Sequence, residues 1–148
     1  MNLYNLHTNP SDLAHHDVAD TSVPVLFWDK YEKDHVELKR REAAIAKYPK
    51  YAYRYAMNIL KGPFKAGEAV IAKDPRYAHL YARDVLKGPF KAGEAVIAKD
   101  HWYAYHYAKE VLKGPFKAGE AAIAKSRHYS GLYAENVLKH DFYLDRKV

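Results

Sequence analysis

The string Lys61-Gly62-Pro63-Phe64-Lys65-Ala66-Gly67-Glu68 returns unchanged at Lys87–Glu94 and again at Lys113–Glu120, each time 26 residues further on. A period in this range builds arrays in which each unit buries its apolar face against its neighbours. A degenerate copy precedes the exact ones. Its Glu42, Ile45, Ala46, Lys47, Tyr51, Tyr55, Ala56 and Leu60 keep step with Glu68, Ile71, Ala72, Lys73, Tyr77, Tyr81, Ala82 and Leu86. The predicted frames are therefore 35–60, 61–86, 87–112 and 113–138, with a truncated copy at 139–142. Leu38, Phe64, Phe90, Phe116 and Phe142 form one ladder through them. Residues 1–34 do not follow the repeat and read as an acidic N-terminal cap, with 143–148 as a C-terminal tail.

Each frame spells two short helices. Asp74-Pro75 supplies a capping carboxylate followed by proline at the first helical position, and Asp100 and Ser126 fill the same slot. The second helix runs from about residue 75 to 86, and Gly62, Gly88 and Gly114 sit where a left-handed terminating glycine is expected. The first helix covers about residues 65–73 and is too short to persist without packing. Tyr77, Ala78, Tyr81, Ala82 and Val85 share one face of the second helix and predict the core. Upstream, Asn9-Pro10-Ser11-Asp12 marks a helix start, and Trp28, Tyr31, His35, Leu38 and Ile45 predict one long helix from about Val25 to Lys47. The expected fold is all-α: a solenoid-like stack of about four helix-turn-helix repeats behind an atypical N-terminal cap.

The unit Lys-Gly-Pro-Phe-Lys-Ala-Gly-Glu-Ala-Val-Ile-Ala-Lys-Asp-Pro-Arg-Tyr-Ala-His-Leu-Tyr-Ala-Arg-Asp-Val-Leu at 61–86 resembles a 26-residue helical repeat of uncharacterised bacteriophage and bacterial proteins. The resemblance covers 35–142. It implies a helical stack and a phage origin, and it brings no active site with it.

Several chemistries are excluded or disfavoured by the residues themselves. The chain has no cysteine, which removes disulfides, thiolate metal sites and cysteine nucleophiles together. Gly62 and Gly67 have phosphate-loop spacing, which recurs in each copy, but Glu68-Ala69 follows where such a loop needs Lys and then Ser or Thr, so these glycines read as helix punctuation. Nine histidines raise the question of a metal, yet His15-His16 are adjacent and His101 and His106 are five apart, so neither pair shares a helical face. They read as surface histidines, and no metal or cofactor is expected. Glu42, Glu68, Glu94 and Glu120 lie on an apolar stripe and must be hydrogen-bonded there. One carboxylate per repeat in the same setting does not make the unlike pair that acid–base catalysis uses. A helix N-terminus or a tyrosine hydroxyl of an adjoining repeat is the expected partner, and no enzymatic activity is expected.

The repeats disagree with one another at four positions of the second helix, spaced i, i+3, i+4 and i+7 on one face. These are Lys50, Tyr53, Arg54 and Met57; Arg76, His79, Leu80 and Arg83; Trp102, Tyr105, His106 and Lys109; and His128, Gly131, Leu132 and Glu135. Trp, Tyr and Arg are the residues that dominate binding hot spots. Lys50, Tyr53, Arg54, Arg76, His79, Arg83, Trp102, Tyr105, His106 and Lys109 are accordingly the candidate partner-binding residues. The chain carries a net charge of +6, which favours an acidic protein surface or a nucleotide-like anion as partner. With the phage resemblance, this reads as an anti-defence inhibitor or sponge. Two other readings stay open. The lysine ladders Lys61/Lys87/Lys113/Lys139, Lys65/Lys91/Lys117 and Lys73/Lys99/Lys125 suit nucleic acid, and a purely structural or assembly role needs no ligand. No apolar run reaches membrane-spanning length and the first residues do not form a signal peptide, so the expected place is the cytoplasm, that of the host for a viral protein.

Overall fold

The computed structural model describes residues 25–139. The cap start at Asn9–Asp12, the His15-His16 pair, Phe142 and the tail 143–148 lie outside the described residues. The chain divides into two compact units, Met1–Glu42 and Ala43–Val148. In the first, the described part is helix α1 (Val25–Ile45), close to the predicted long helix, whose last turn passes into the second unit. On it Arg41 Nε donates to Glu37 Oε1 at 3.0 Å, one turn away, between two exposed side chains.

The second unit is a stack of helical repeats. Helices α2 (Pro49–Arg54), α4 (Pro75–Leu80), α6 (His101–His106) and α8 (Arg127–Tyr133) form one layer. Helices α3 (Lys65–Ile71), α5 (Lys91–Ile97) and α7 (Glu120–Ala124), the last entered through a 3-10 turn at Lys117–Gly119, form the other. Regular structure among the described residues is entirely helical. The tightest pairings are α2 with α3, α4 with α5 and α6 with α7. The packed hairpin therefore spans the boundary of the sequence frame: the second helix of one frame and the first helix of the next.

Both N-terminal caps that the sequence predicts with aspartate form. Asp74 Oδ1 accepts the backbone N–H groups of Arg76 and Tyr77 at 2.9 and 3.1 Å, and Asp100 Oδ1 those of Trp102 and Tyr103 at 2.8 and 3.1 Å. The Ser126 cap is longer, with Tyr129 N–H at 3.4 Å from its Oγ.

The other end of the second helix differs from expectation. Each helix widens into π-helical turns over its second half, at Tyr55–Leu60, Tyr81–Leu86, Tyr107–Leu112 and Ala134–Leu138. It then ends on a left-handed lysine, not a left-handed glycine. Lys61, Lys87, Lys113 and Lys139 have φ of 51° to 52°, while no glycine has positive φ. The glycine comes one residue later, and its N–H closes the helix on the carbonyl six residues back, Gly88 on Ala82 at 3.1 Å. This seven-to-one bond is one residue longer than the six-to-one bond of the common helix-terminating motif, as the wider π-helical turn requires, and the left-handed position before the glycine goes to a residue that has a Cβ.

Gly67, Gly93 and Gly119 serve packing, not helix punctuation. A Cβ on Gly93 would stand 2.7 Å from Phe90 Cδ1 and 2.8 Å from Ala78 Cβ, so α5 approaches α4 backbone to backbone. The alanines predicted for the core face, Ala78, Ala82, Ala104 and Ala108, are fully buried, as is Tyr81. The ladder phenylalanines Phe64, Phe90 and Phe116 are each 4% exposed.

The core tyrosines join successive frames. The Tyr81 ring meets Phe90 edge-on at 5.1 Å, while its hydroxyl accepts Phe64 N–H and donates to Glu68 Oε1, both at 2.9 Å. Tyr107 does the same with Phe116, Phe90 and Glu94, and Tyr133 hydrogen-bonds Phe116 and Glu120. Glu68, Glu94 and Glu120 thus bond a tyrosine hydroxyl as expected, but the tyrosine belongs to the glutamate's own frame and not to an adjoining one. Burial and the carboxylate together push the Tyr81, Tyr107 and Tyr133 hydroxyls well above their ordinary value of 10.0, against the opposing pull of the backbone N–H.

Candidate binding face

The layer of second helices carries the variable positions, and packing splits them into two sets. The first set, Tyr53, His79 and Tyr105, ties each second helix to the next. Each packs its ring on the tyrosine 24 residues ahead: Tyr53 on Tyr77 at 5.9 Å, His79 on Tyr103 at 6.2 Å, Tyr105 on Tyr129 at 5.5 Å. Each also reaches the polar residue 31 ahead. Tyr53 donates its O–H to Asp84 Oδ2 at 2.8 Å, His79 Nε2 stands 3.3 Å from Glu110 Oε2, and Asn136 Nδ2 donates to the Tyr105 hydroxyl at 3.3 Å.

These joints correct the sequence reading. His79 is 1% exposed and Tyr105 2%, so neither ring is open to a partner, and His79 is no surface histidine. Second helices lie side by side, and the flank of each becomes interface with the next. The sequence reading also missed the other half of each joint, Asp84, Glu110 and Asn136. Their signal was present: they change from frame to frame together with Tyr53, His79 and Tyr105, at a constant offset of 31 residues.

Charge concentrates at the joint between α4 and α6. Arg83 Nε and Nη2 grip the two oxygens of Asp84 at 2.7 and 3.0 Å, and its Nη1 reaches Glu110 Oε2 at 3.3 Å. His106 Nδ1 lies 2.8 Å from Glu110 Oε1. Burial tends to raise both carboxyls, but hydrogen bonds outweigh it: those from Arg83 and Tyr53 hold Asp84 low, and those from His106 and Arg83 hold Glu110 low. The bond to Asp84 keeps the Arg83 guanidinium firmly protonated. The Tyr53 hydroxyl is pushed up to about 12, by burial first and then by Asp84. Arg83 thus clamps Asp84 and Glu110 together while its side chain stays 40% exposed. Among the described residues, no group of three or more His, Asp or Glu is arranged to grip a metal.

The second set is open to solvent. Lys50, Arg54, Arg76 and Lys109 are exposed, and Trp102 is 39% exposed. Trp102 stacks on His106, with ring centroids 4.1 Å apart, and touches Tyr103 at 4.8 Å. Arg76 and Lys109 sit 5.7 Å from the Tyr77 and Tyr105 rings, within cation–π range. His128 and Glu135 continue the exposed face on α8 and its π-helical extension, and Gly131 has open space where a side chain would stand. On the opposite layer, Lys65 and Lys91 lie 3.3 and 3.2 Å from Glu68 and Glu94.

No known protein family, curated protein or solved structure matches this chain. No helix of the described residues is long and apolar enough to cross a membrane.

Proposed function

We propose that the chain is a non-enzymatic binding protein that captures an acidic protein partner on the open ridge of its second helices. The observation behind this is Trp102. It is 39% exposed and held in a stack with His106, beside helices that present Arg76 and Lys109 as cations. An aromatic anchor already packed against neighbouring rings has less side-chain entropy to lose on binding, and flanking cations favour an acidic surface. Taken with the phage-like repeat, the partner is a host protein and the chain an inhibitor or sponge acting in the host cytoplasm.

The test begins with capture of a partner from host lysate and its titration with purified variants. Trp102→Ala should weaken binding by more than about 1–2 kcal/mol, as hot-spot truncation does. The same change should leave the melting temperature within about 2–4 °C. Arg76→Ala should weaken binding as well, and Lys65→Ala should not. Equal effects at Lys65 and Lys91 that vanish at high salt would assign the protein to nucleic acid instead. Extraction of a nucleotide from the captured material would replace the protein partner with a small anion.

A further inference from the structure

We infer that the joint between α4 and α6 is an acid-sensitive latch, with His79 as the group that takes up the proton and opens it. The reason lies in how this joint differs from its neighbours. The Tyr53–Asp84 and Tyr105–Asn136 joints use a tyrosine hydroxyl. The joint between them uses an imidazole, the one side chain whose unperturbed titration falls between pH 5 and 8.

The surroundings of His79 favour the neutral ring. It is almost fully buried, and neither ring nitrogen completes a hydrogen bond, although Nε2 is 3.3 Å from Glu110. From its own helix it faces Arg83, one turn ahead, and the Asp84 carboxylate that Arg83 holds. From the neighbouring second helix it faces His106, Glu110 and the Trp102 and Tyr103 rings, at centroid distances of 6.0 to 6.3 Å for the three rings. Glu110 is the only one of these carboxylates within ion-pair range, and Arg83 and His106 already share it. A proton on His79 would bring a second cation to the same Glu110 oxygen that the Arg83 guanidinium already engages, both at 3.3 Å. Burial is the largest influence on the ring and lowers its proton affinity below the ordinary 6.5; Arg83 and His106 add to this, and Glu110 only partly offsets it.

The sign follows from proton linkage. With the folded value below 6.5, the opened state binds more protons than the closed one as pH falls from neutrality, so acidification favours opening. The carboxylates act in a separate window. Asp84 and Glu110 are held below 3.8 and 4.5, so their contribution stays intact until the pH falls beneath those values. Between pH 7.5 and 5.5 the carboxylates keep their charge, and His79 is the imidazole buried within this joint.

The experiment uses the purified full chain with no partner, so its outcome does not depend on the binding reading. Urea unfolding at pH 7.5 and 5.5 compares wild type with His79→Tyr, which copies the residue at positions 53 and 105. The wild-type folding equilibrium constant should fall by up to about tenfold more than that of the variant, the ratio set by protonating one unfolded imidazole across that interval. Equal losses in the two proteins would overturn the inference. His106→Asn should keep the wild-type acid loss; if it abolishes the loss, the trigger is His106 and the inference fails. Should His79→Tyr not fold, the histidine ring resonances of the wild type decide. A His79 ring that stays neutral in the folded protein at pH 6 supports the latch, and one that titrates near 6.5 sinks it.

Discussion

The hydroxyl of Tyr107 accepts the backbone N–H of Phe90 at 2.9 Å, across 17 residues of chain. Phe90 precedes helix α5, where an N–H has no partner within the helix, and its ring is buried in the stack. The same hydroxyl donates to Glu94, so one side chain satisfies both a helix start and a half-buried carboxylate. Tyr107→Phe should cost about 1–3 kcal/mol in urea unfolding, because it strands a buried donor. Alkali should act on the same group. A tyrosine held above 10.0 contributes stability that is fully present below that pH and lost as pH rises through the folded value, so Tyr107→Phe should lessen the loss of stability above pH 10.

Glu94 accepts a hydrogen bond from the Tyr107 hydroxyl and lies near Lys91. Glu94→Gln retains an oxygen that can accept the hydroxyl and should cost under about 1 kcal/mol, since only the charge assistance is lost. Glu94→Leu should cost about 1–3 kcal/mol, since the Tyr107 hydroxyl then has no acceptor. Equal chemical denaturation midpoints for both variants and the wild type would show that the carboxylate carries no structural load.

Gly93 is helical and has ordinary φ, so alanine there would normally gain stability through helix propensity. The close approach to Ala78 Cβ and the Phe90 ring reverses the sign. Gly93→Ala should destabilise the protein by about 1–3 kcal/mol, the usual cost of overpacking. A thermal melt at unchanged or higher temperature would show that α5 can move away from α4.

Lys87 holds a left-handed conformation at φ 52°, which its Cβ disfavours. Lys87→Gly should stabilise the protein by up to about 1 kcal/mol, the relief of left-handed strain less the extra chain entropy of glycine. Lys87→Val should do the reverse, since β-branched residues fit that region worst. Differential scanning calorimetry of the pair gives both signs in one comparison.

Local chemistry determined much of this protein. The 26-residue period, the Asp74 and Asp100 caps and the buried Phe64/Phe90/Phe116 ladder follow from residue type and spacing, because capping and amphipathic periodicity act within a turn or two of chain. The need of the stripe glutamates for a hydrogen-bond partner was legible in the same way. The tertiary structure decided whatever depends on which helices lie side by side. It decided that the packed hairpin crosses the sequence frame, that Gly93 is a contact and not a stop, and that the left-handed residue is Lys87. It also divided the variable face. Arg76 and Trp102 face solvent, whereas His79 and Tyr105, three residues further along each helix, turn into the joint with the next one. A single helix treats all four as one face, and only the neighbour at a fixed flank separates them. The same neighbour supplies Glu110 to His79, a pairing 31 residues apart that no local rule of helix periodicity contains.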